Sequence, residues 1–226
     1  MGLQYKRLQQ DAAAVLFIDH QSGLFSLVRE PSTEQLRNGI LALADLAKFF
    51  ALPTVLTTSC DDAANGPLIH ELNYTFPAAP LVRRDAALNA WDDREVVDAV
   101  HAAGRKQLIV SGVLTEACVT STVLSAVQEG FEVFVVADAC GSLSRTTRHN
   151  AWRRMADAGA QIVDWYSVAC ELQRQVRSGG QSVADILVRH MSGYSDMVQS
   201  FERLKVRRVR HPRPAAALRH TDNSLP

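Results

Sequence analysis

The sequence predicts an α/β fold built on a mostly parallel sheet with helices on both faces. The segment "AAAVLFID" is a continuous apolar run closed by a carboxylate, a pattern typical of a strand that is buried on both faces. Similar runs alternate along the chain with segments whose apolar residues recur at helical spacing. This alternation indicates parallel strands joined by right-handed crossovers. The length of 226 residues is enough for one domain with a sizeable core.

The first three elements are a strand, a helix and a second strand. The opening strand is predicted over Ala12–Asp19. A helix is predicted over Ser32–Leu52, where Ser32 or Thr33 can cap the first turn. The next buried strand is predicted over Pro53–Ser59. Asp19 therefore lies where the first strand ends, on the edge of the sheet at which such folds bind ligands.

The middle of the chain continues the same alternation after an irregular stretch. Residues Cys60–Val82 are rich in turn formers, although Leu81–Val82 can form a short strand. The later predicted elements are a helix over Trp91–Gly104, a strand over Lys106–Val113, a helix over Glu116–Gly130, a strand over Phe131–Cys140, a helix over Thr146–Ala160 and a strand over Gln161–Trp165. The predicted sheet therefore has six strands when Leu81–Val82 is included.

The C-terminal part of the chain lacks further strands. Three helical segments are predicted over Ser167–Ser178, Ser182–Met191 and Tyr194–Leu204. With no sheet to cover, residues 164–205 are expected to make contacts with another subunit, within a domain of residues 1–205. Residues 206–226 are basic and then rich in proline and alanine, and we expect a disordered tail. Its basic residues could contact anions, but such clusters are more often simply solvated.

Composition excludes several classes of function. Lysine plus arginine equals aspartate plus glutamate at 24 each, so no general attraction to nucleic acid is expected. No apolar run is long enough to cross a bilayer, and the N-terminal segment is interpreted as a strand rather than a secretory signal. The four cysteines form no C-x-x-C pair and no cluster with zinc spacing. We therefore expect a cytoplasmic protein with reduced thiols, no metal, no cofactor and no membrane partner.

Cys118 is the first candidate for chemistry. It follows a predicted strand and lies near the start of a predicted helix, where the helix dipole and free N–H groups favour a thiolate and can stabilise an oxyanion. Position alone does not decide the matter, because buried cysteines that only fill space are common.

Asp19 strengthens the case for a site at this edge. A carboxylate that ends a buried strand is costly unless another group uses it, and it can be a helix cap, an ion-pair partner or a general base. Arg83 and Arg84 follow Leu81–Val82, and only one of them points inward if that segment is a strand. A buried arginine would help to keep both Asp19 and the thiol charged.

The chain resembles the isochorismatase-like cysteine hydrolase superfamily, and within it the YcaC-like group. The matching segments include "AAVLFIDHQSGLFSLVRE" and "GRKQLIVSGVLTEACV". The most specific of them is G-V-x-T-x-x-C-V at Gly112–Val119. The resemblance extends over about Lys6 to Leu204 and implies a Rossmann-like three-layer α/β/α sandwich.

The resemblance also implies a catalytic triad of Asp19, Arg84 and Cys118. The wider superfamily has a lysine at the position of Arg84, and an arginine can hold charge but cannot readily give up its proton. A non-proline cis peptide is implied at Val113–Leu114, with the backbone N–H groups of Leu114 and Cys118 as the oxyanion hole. Homo-octamers are implied as well.

The function that follows is hydrolysis of a small amide or related acyl compound through a covalent thioester. Two alternatives stay open. One is an oligomeric binding or thiol-sensing protein on the same fold, and the other is nucleic-acid processing, which zero net charge disfavours. Phe25 and Trp91 are predicted to line the substrate pocket. The D-x-H metal motif of nicotinamidases is absent, so nicotinamide is not favoured.

Overall fold

The computed structural model describes residues 5–174 and 182–210, with side chains described as far as Leu204. Six parallel strands form one sheet in the order β3-β2-β1-β4-β5-β6. Their bounds are Ala13–Ile18 (β1), Thr54–Ser59 (β2), Leu81–Arg84 (β3), Gln107–Gly112 (β4), Glu132–Val136 (β5) and Gln161–Val163 (β6). The predicted α/β sandwich is confirmed, and the order reverses between β1 and β4.

Eight α-helices occur in the described ranges. They are Thr33–Phe49 (α1), His70–Thr75 (α2), Arg94–Ala102 (α3), Thr120–Glu129 (α4), Arg145–Asp157 (α5), Trp165–Gln173 (α6), Val183–His190 (α7) and Ser192–Arg210 (α8). Helix α1 begins with a capping box in which Ser32 accepts a hydrogen bond from the Gln35 N–H. Helix α4 is followed by the C-cap residue Gly130, whose φ of 102° lies in the left-handed region that favours glycine.

Alternate side chains of the strands face two different helical layers. Leu16, Val110 and Val135 pack in one buried cluster with residues of α3, α4 and α5. Phe17 points to the opposite side, where its ring lies 5.8 Å from that of Phe76. Helix α1 contacts α2 and α6. These strands are buried on both faces, which is why the sequence of β1 shows no polar alternation.

Several boundaries differ from those predicted. The stretch predicted to be irregular contains the short helix α2. The strand predicted to reach Cys140 ends at Val136 and continues as a turn over Ala137–Ala139. The last strand ends at Val163 because Asp164 caps α6 by accepting a hydrogen bond from the Ser167 N–H. The two strand differences arise where a turn or a capping side chain replaces strand pairing.

The chain divides into two compact units, one ending at Ile186 and the other beginning at Leu187. This division falls inside the predicted domain of residues 1–205, whose extent remains a prediction. Helix α8 reaches Arg210, and the rest of the predicted tail over 206–226 lies outside the described residues. Within the described ranges, no helix has the length and apolar character needed to cross a membrane.

Candidate active site

The candidate site lies where the strand order reverses. Asp19 directly follows β1, and Cys118 follows β4 after a short turn. These two strands are neighbours, with Ile18 paired to Gly112 at their carboxyl ends. Residues predicted from separate parts of the sequence therefore meet at the switch point of a parallel sheet, where ligands bind in such folds.

Asp19 is fully buried and surrounded by donors. Its φ of 53° is left-handed, a conformation that aspartate tolerates better than most residues. The Thr57 hydroxyl donates to Oδ1 at 2.9 Å and the Ser59 hydroxyl to Oδ2 at 3.3 Å. Arg84 Nη2 lies 2.6 Å from Oδ1 and 2.5 Å from Oδ2. These contacts compensate for burying the charge.

Arg84 is the arginine that points inward. Its side chain has no exposed surface, like that of Asp19, and Nη1 donates to the Ala87 carbonyl. Arg83, one residue earlier in β3, is 69% exposed and pairs with Asp61. The alternation of side chains along a strand thus separates a buried ion pair from a surface one.

Cys118 is buried, and its surroundings favour the neutral thiol. The pKa of the thiol is raised to about 12, mainly by burial and then by the charge of Asp19 and a hydrogen bond to that carboxylate, whereas Arg84 and the Leu114 N–H lower it. Arg84 and a backbone N–H therefore act in the expected direction, but their effect on the pKa is not the largest one. Desolvation and the adjacent carboxylate outweigh the favourable charges.

The turn before α4 sets the position of the thiol. Thr115–Val119 forms a π-helical turn rather than the first turn of an α-helix. The peptide bond between Val113 and Leu114 is cis, as the resemblance implies. The N–H and hydroxyl of Thr115 both donate to the Gly141 carbonyl, at 2.7 and 2.9 Å. The turn is therefore fixed to the segment that follows β5.

The two predicted pocket residues occupy different places. The Phe25 ring lies 6.5 Å from that of His20, the neighbour of Asp19. Trp91 instead donates through Nε1 to Glu129, at the far end of α4. Glu129 follows Cys118 by eleven residues, which is roughly 16 Å along a helix. This position does not support Trp91 as a pocket wall.

Sequence reasoning missed the polar groups that surround Asp19. Thr57 and Ser59 bind its carboxylate, and Gln21 binds the backbone of Ser59. His20 Nε2 lies 2.7 Å from Ser111 Oγ, which donates to the Ala139 carbonyl, so the ring nitrogen must be the donor. Burial lowers the pKa of His20 to about 3 and keeps it neutral. Thr57 and Thr58 are adjacent and of the same type, so the sequence does not indicate which of the two hydroxyls faces Asp19.

The described residues contain no group of three or more His, Cys, Asp or Glu side chains able to hold a metal ion. His20 is committed to Ser111, and His70 stacks on Tyr74 with ring centroids 6.1 Å apart.

Known proteins define the class to which this site belongs. The isochorismatase domain model matches residues 13–167. The chain is 48% identical over 204 residues, 90% of its own length and 98% of the relative's, to an Escherichia coli K12 protein described as "probable hydrolase YcaC". The chain belongs to the isochorismatase family of hydrolases.

Two solved structures are similar over most of the chain. One is YcaC from Pseudomonas aeruginosa, solved with hexane-2,5-diol and covalent acrylamide, which is 51% identical to this chain. The alignment has a TM-score of 0.87 and covers 89% of this chain and 100% of the YcaC chain. The Escherichia coli ycaC product, described as an octameric hydrolase of unknown specificity, is 49% identical with the same TM-score and covers 89% and 98%.

Proposed function

We propose that this protein is a cysteine hydrolase that acts on a small amide or related acyl compound, with Cys118 as nucleophile. The observation that most supports this is that a buried thiol and a buried carboxylate follow neighbouring strands at the switch point of the sheet, close enough for Asp19 to raise the pKa of the thiol. A neutral thiol that donates to Asp19 is ready to lose its proton to that carboxylate when a substrate carbonyl approaches.

The first half of the reaction forms a thioester. Asp19 takes the thiol proton as Sγ bonds to the carbonyl carbon, and the N–H groups of Leu114 and Cys118 stabilise the oxyanion. The C–N bond then breaks, and Asp19 returns the proton to the departing nitrogen as ammonia or an amine. Arg84 keeps its proton throughout and stabilises the negative charge shared by Asp19 and the sulfur.

The second half releases the acid. Asp19 takes a proton from water, whose oxygen bonds to the thioester carbon, and the C–S bond breaks. The sulfur recovers the proton from Asp19, which restores the starting state. A reduced thiol is required at each turnover, and the described cysteines are all free, consistent with the proposed cytoplasmic location.

The surroundings of the site favour a small substrate with an apolar part. The Phe25 ring lies 6.5 Å from that of His20, the residue after Asp19, and the loops that follow β1, β3 and β5 each have an exposed leucine, namely Leu27, Leu88 and Leu143. A homologous structure is described with covalent acrylamide. Acrylamide is both an electrophile and a small amide, so a protein that binds it covalently has a reactive nucleophile.

The test is turnover of a panel of small aliphatic amides by Cys118→Ala and Asp19→Asn. We expect either change to lower the rate of amide turnover by a factor of about a thousand or more, since each removes either the donor or the acceptor of the thiol proton. Cys170→Ala alters an exposed cysteine and is the matched control. Wild-type turnover in Cys118→Ala would rule out this nucleophile.

A second candidate is a binding or thiol-sensing protein without turnover. The high pKa of the resting thiol and the arginine in place of the family lysine favour it. The two functions differ in the fate of an acyl adduct on Cys118. A hydrolase regenerates the free thiol with time, whereas a sensor retains the adduct until another thiol removes it.

A further inference from the structure

We propose that Ser59, oriented by Asn65 and Gln21, is a positioning residue for Asp19. It fixes one carboxylate oxygen so that the carboxylate can accept the Cys118 proton. This inference rests on the proposed function and adds a residue to it.

The strand order explains why position 59 matters. Strand β2 lies between β1 and β3, so Arg84 must reach across β2 to contact Asp19. Ser59 is the register partner of Arg84, and Thr57 and Ser59 point to the same face of β2. Both side chains are small enough to leave room for the guanidinium and polar enough to bind the carboxylate beside it.

The direction of the Ser59 proton follows from its neighbour. Asn65 Nδ2 lies 2.8 Å from the Ser59 carbonyl, which can only accept, and this identifies the atom as the amide nitrogen. The same nitrogen lies 3.3 Å from Ser59 Oγ. Since the hydroxyl oxygen accepts from Asn65, its single proton is available for Asp19 Oδ2 at 3.3 Å.

Gln21 holds the backbone of Ser59 in place. The Ser59 N–H donates to Gln21 Oε1 at 2.8 Å, and Gln21 Nε2 donates to the Ser59 carbonyl at 3.0 Å. Strand β1 has ended by this point, so the Gln21 amide takes the place of a strand neighbour. Gln21, Ser59 and Asp19 are all buried, which strengthens these hydrogen bonds.

Thr57 and Ser59 therefore each orient one oxygen of Asp19, while Arg84 contacts both. Without the Ser59 hydroxyl, the carboxylate could rotate about the Thr57 and Arg84 contacts and lose its alignment with the thiol. Proton transfer depends strongly on this alignment. The rate of Cys118 alkylation should therefore fall near neutral pH, where Asp19 removes the thiol proton. It should be unchanged at high pH, where hydroxide removes that proton.

The experiment compares Ser59→Ala with wild type in the rate of Cys118 alkylation by iodoacetamide, followed by mass spectrometry at about pH 7 and about pH 10. We expect Ser59→Ala to be roughly tenfold slower near neutral pH and within about twofold of wild type at high pH. Ser59→Thr, which keeps the hydroxyl, should restore the neutral rate. An unchanged neutral rate, or equal slowing at both values, would overturn the proposal.

Three further variants complete the design. Thr58→Val removes a buried hydroxyl from the opposite face of β2, where it binds Asp61, and should leave the alkylation rate unchanged. Asn65→Ala should slow Cys118 alkylation near neutral pH only, and by a smaller factor than Ser59→Ala. It provides the test of the proposal if Ser59→Ala does not fold. If Asp19→Asn does not slow alkylation near neutral pH, the proposed function is wrong. If Asp19→Asn slows it but Ser59→Ala and Asn65→Ala do not, only the role proposed for Ser59 is wrong.

Discussion

At the scale of single residues, the site depends on how burial changes ordinary side chains. Asp19 and Arg84 form an ion pair with no exposed surface, and both contribute to the electrostatic environment of the Cys118 thiol. Removing one partner of such a pair leaves an uncompensated buried charge, which costs about 3–5 kcal/mol. Burial, and after it the adjacent carboxylate, raise the pKa of the thiol and favour its neutral form. The reactivity of Cys118 is therefore expected to depend on proton transfer to Asp19 and not on a thiolate that is already present in the resting protein.

The pH dependence of Cys118 alkylation tests this state of the thiol. A free thiol levels off above its ordinary pKa of about 8.5. The pKa of Cys118 is raised to about 12, so its neutral form persists through the ordinary range and thiolate is gained only as the pH rises towards that value. We expect the alkylation rate to keep rising to about pH 10, with glutathione as the reference thiol. A plateau below neutral pH would mean that the thiolate is already formed.

At the scale of elements, the approach of β1 and β4 determines the distance between base and thiol. A Cβ added at Gly112 would lie 2.7 Å from the Ile18 carbonyl oxygen and 2.7 Å from Val119 Cγ2. Backbone on one side and the turn that contains Cys118 on the other leave no room for a methyl group. Glycine at this position therefore allows the two halves of the site to approach.

Replacing Gly112 by alanine should push β4 away from β1. We expect Gly112→Ala to lower the free energy of unfolding by about 1–3 kcal/mol and to slow Cys118 alkylation near neutral pH. Gly193→Ala is the control, because nothing lies within 4 Å of its added Cβ, and alanine in a helix should be neutral or stabilising. Equal unfolding midpoints in urea for Gly112→Ala and wild type would contradict the crowding inferred at this position.

At the scale of the whole molecule, the property to be tested is the association of this chain with copies of itself. A homologue is described as octameric, so the surface of this chain is worth testing for self-association. Helix α8 has exposed apolar side chains at Met197, Phe201 and Leu204, spaced so that they share one face. A solvent-exposed apolar stripe on a helix is typical of a surface that packs against a partner.

A charge placed on this stripe should weaken assembly. We expect Met197→Glu to shift the protein to smaller species in size-exclusion chromatography with light scattering, because burying an unpaired carboxylate is unfavourable. Gln199→Glu adds the same charge on the opposite side of α8 and should leave the mass unchanged. An unaltered mass for Met197→Glu at low micromolar concentration would exclude this stripe from the interface.

The sequence by itself determined the layers, the six strands when Leu81–Val82 is counted, and the fact that only one of Arg83 and Arg84 points inward, since these follow from apolar runs and from alternation along a strand. It also determined the candidates Asp19 and Cys118, because parallel strands end at a common edge. Tertiary structure decided that burial raises the pKa of the thiol, that Thr57 and Ser59 bind Asp19, and that Trp91 lies at the far end of α4. Those outcomes depend on burial and on distances between segments remote in the chain, which no local pattern encodes.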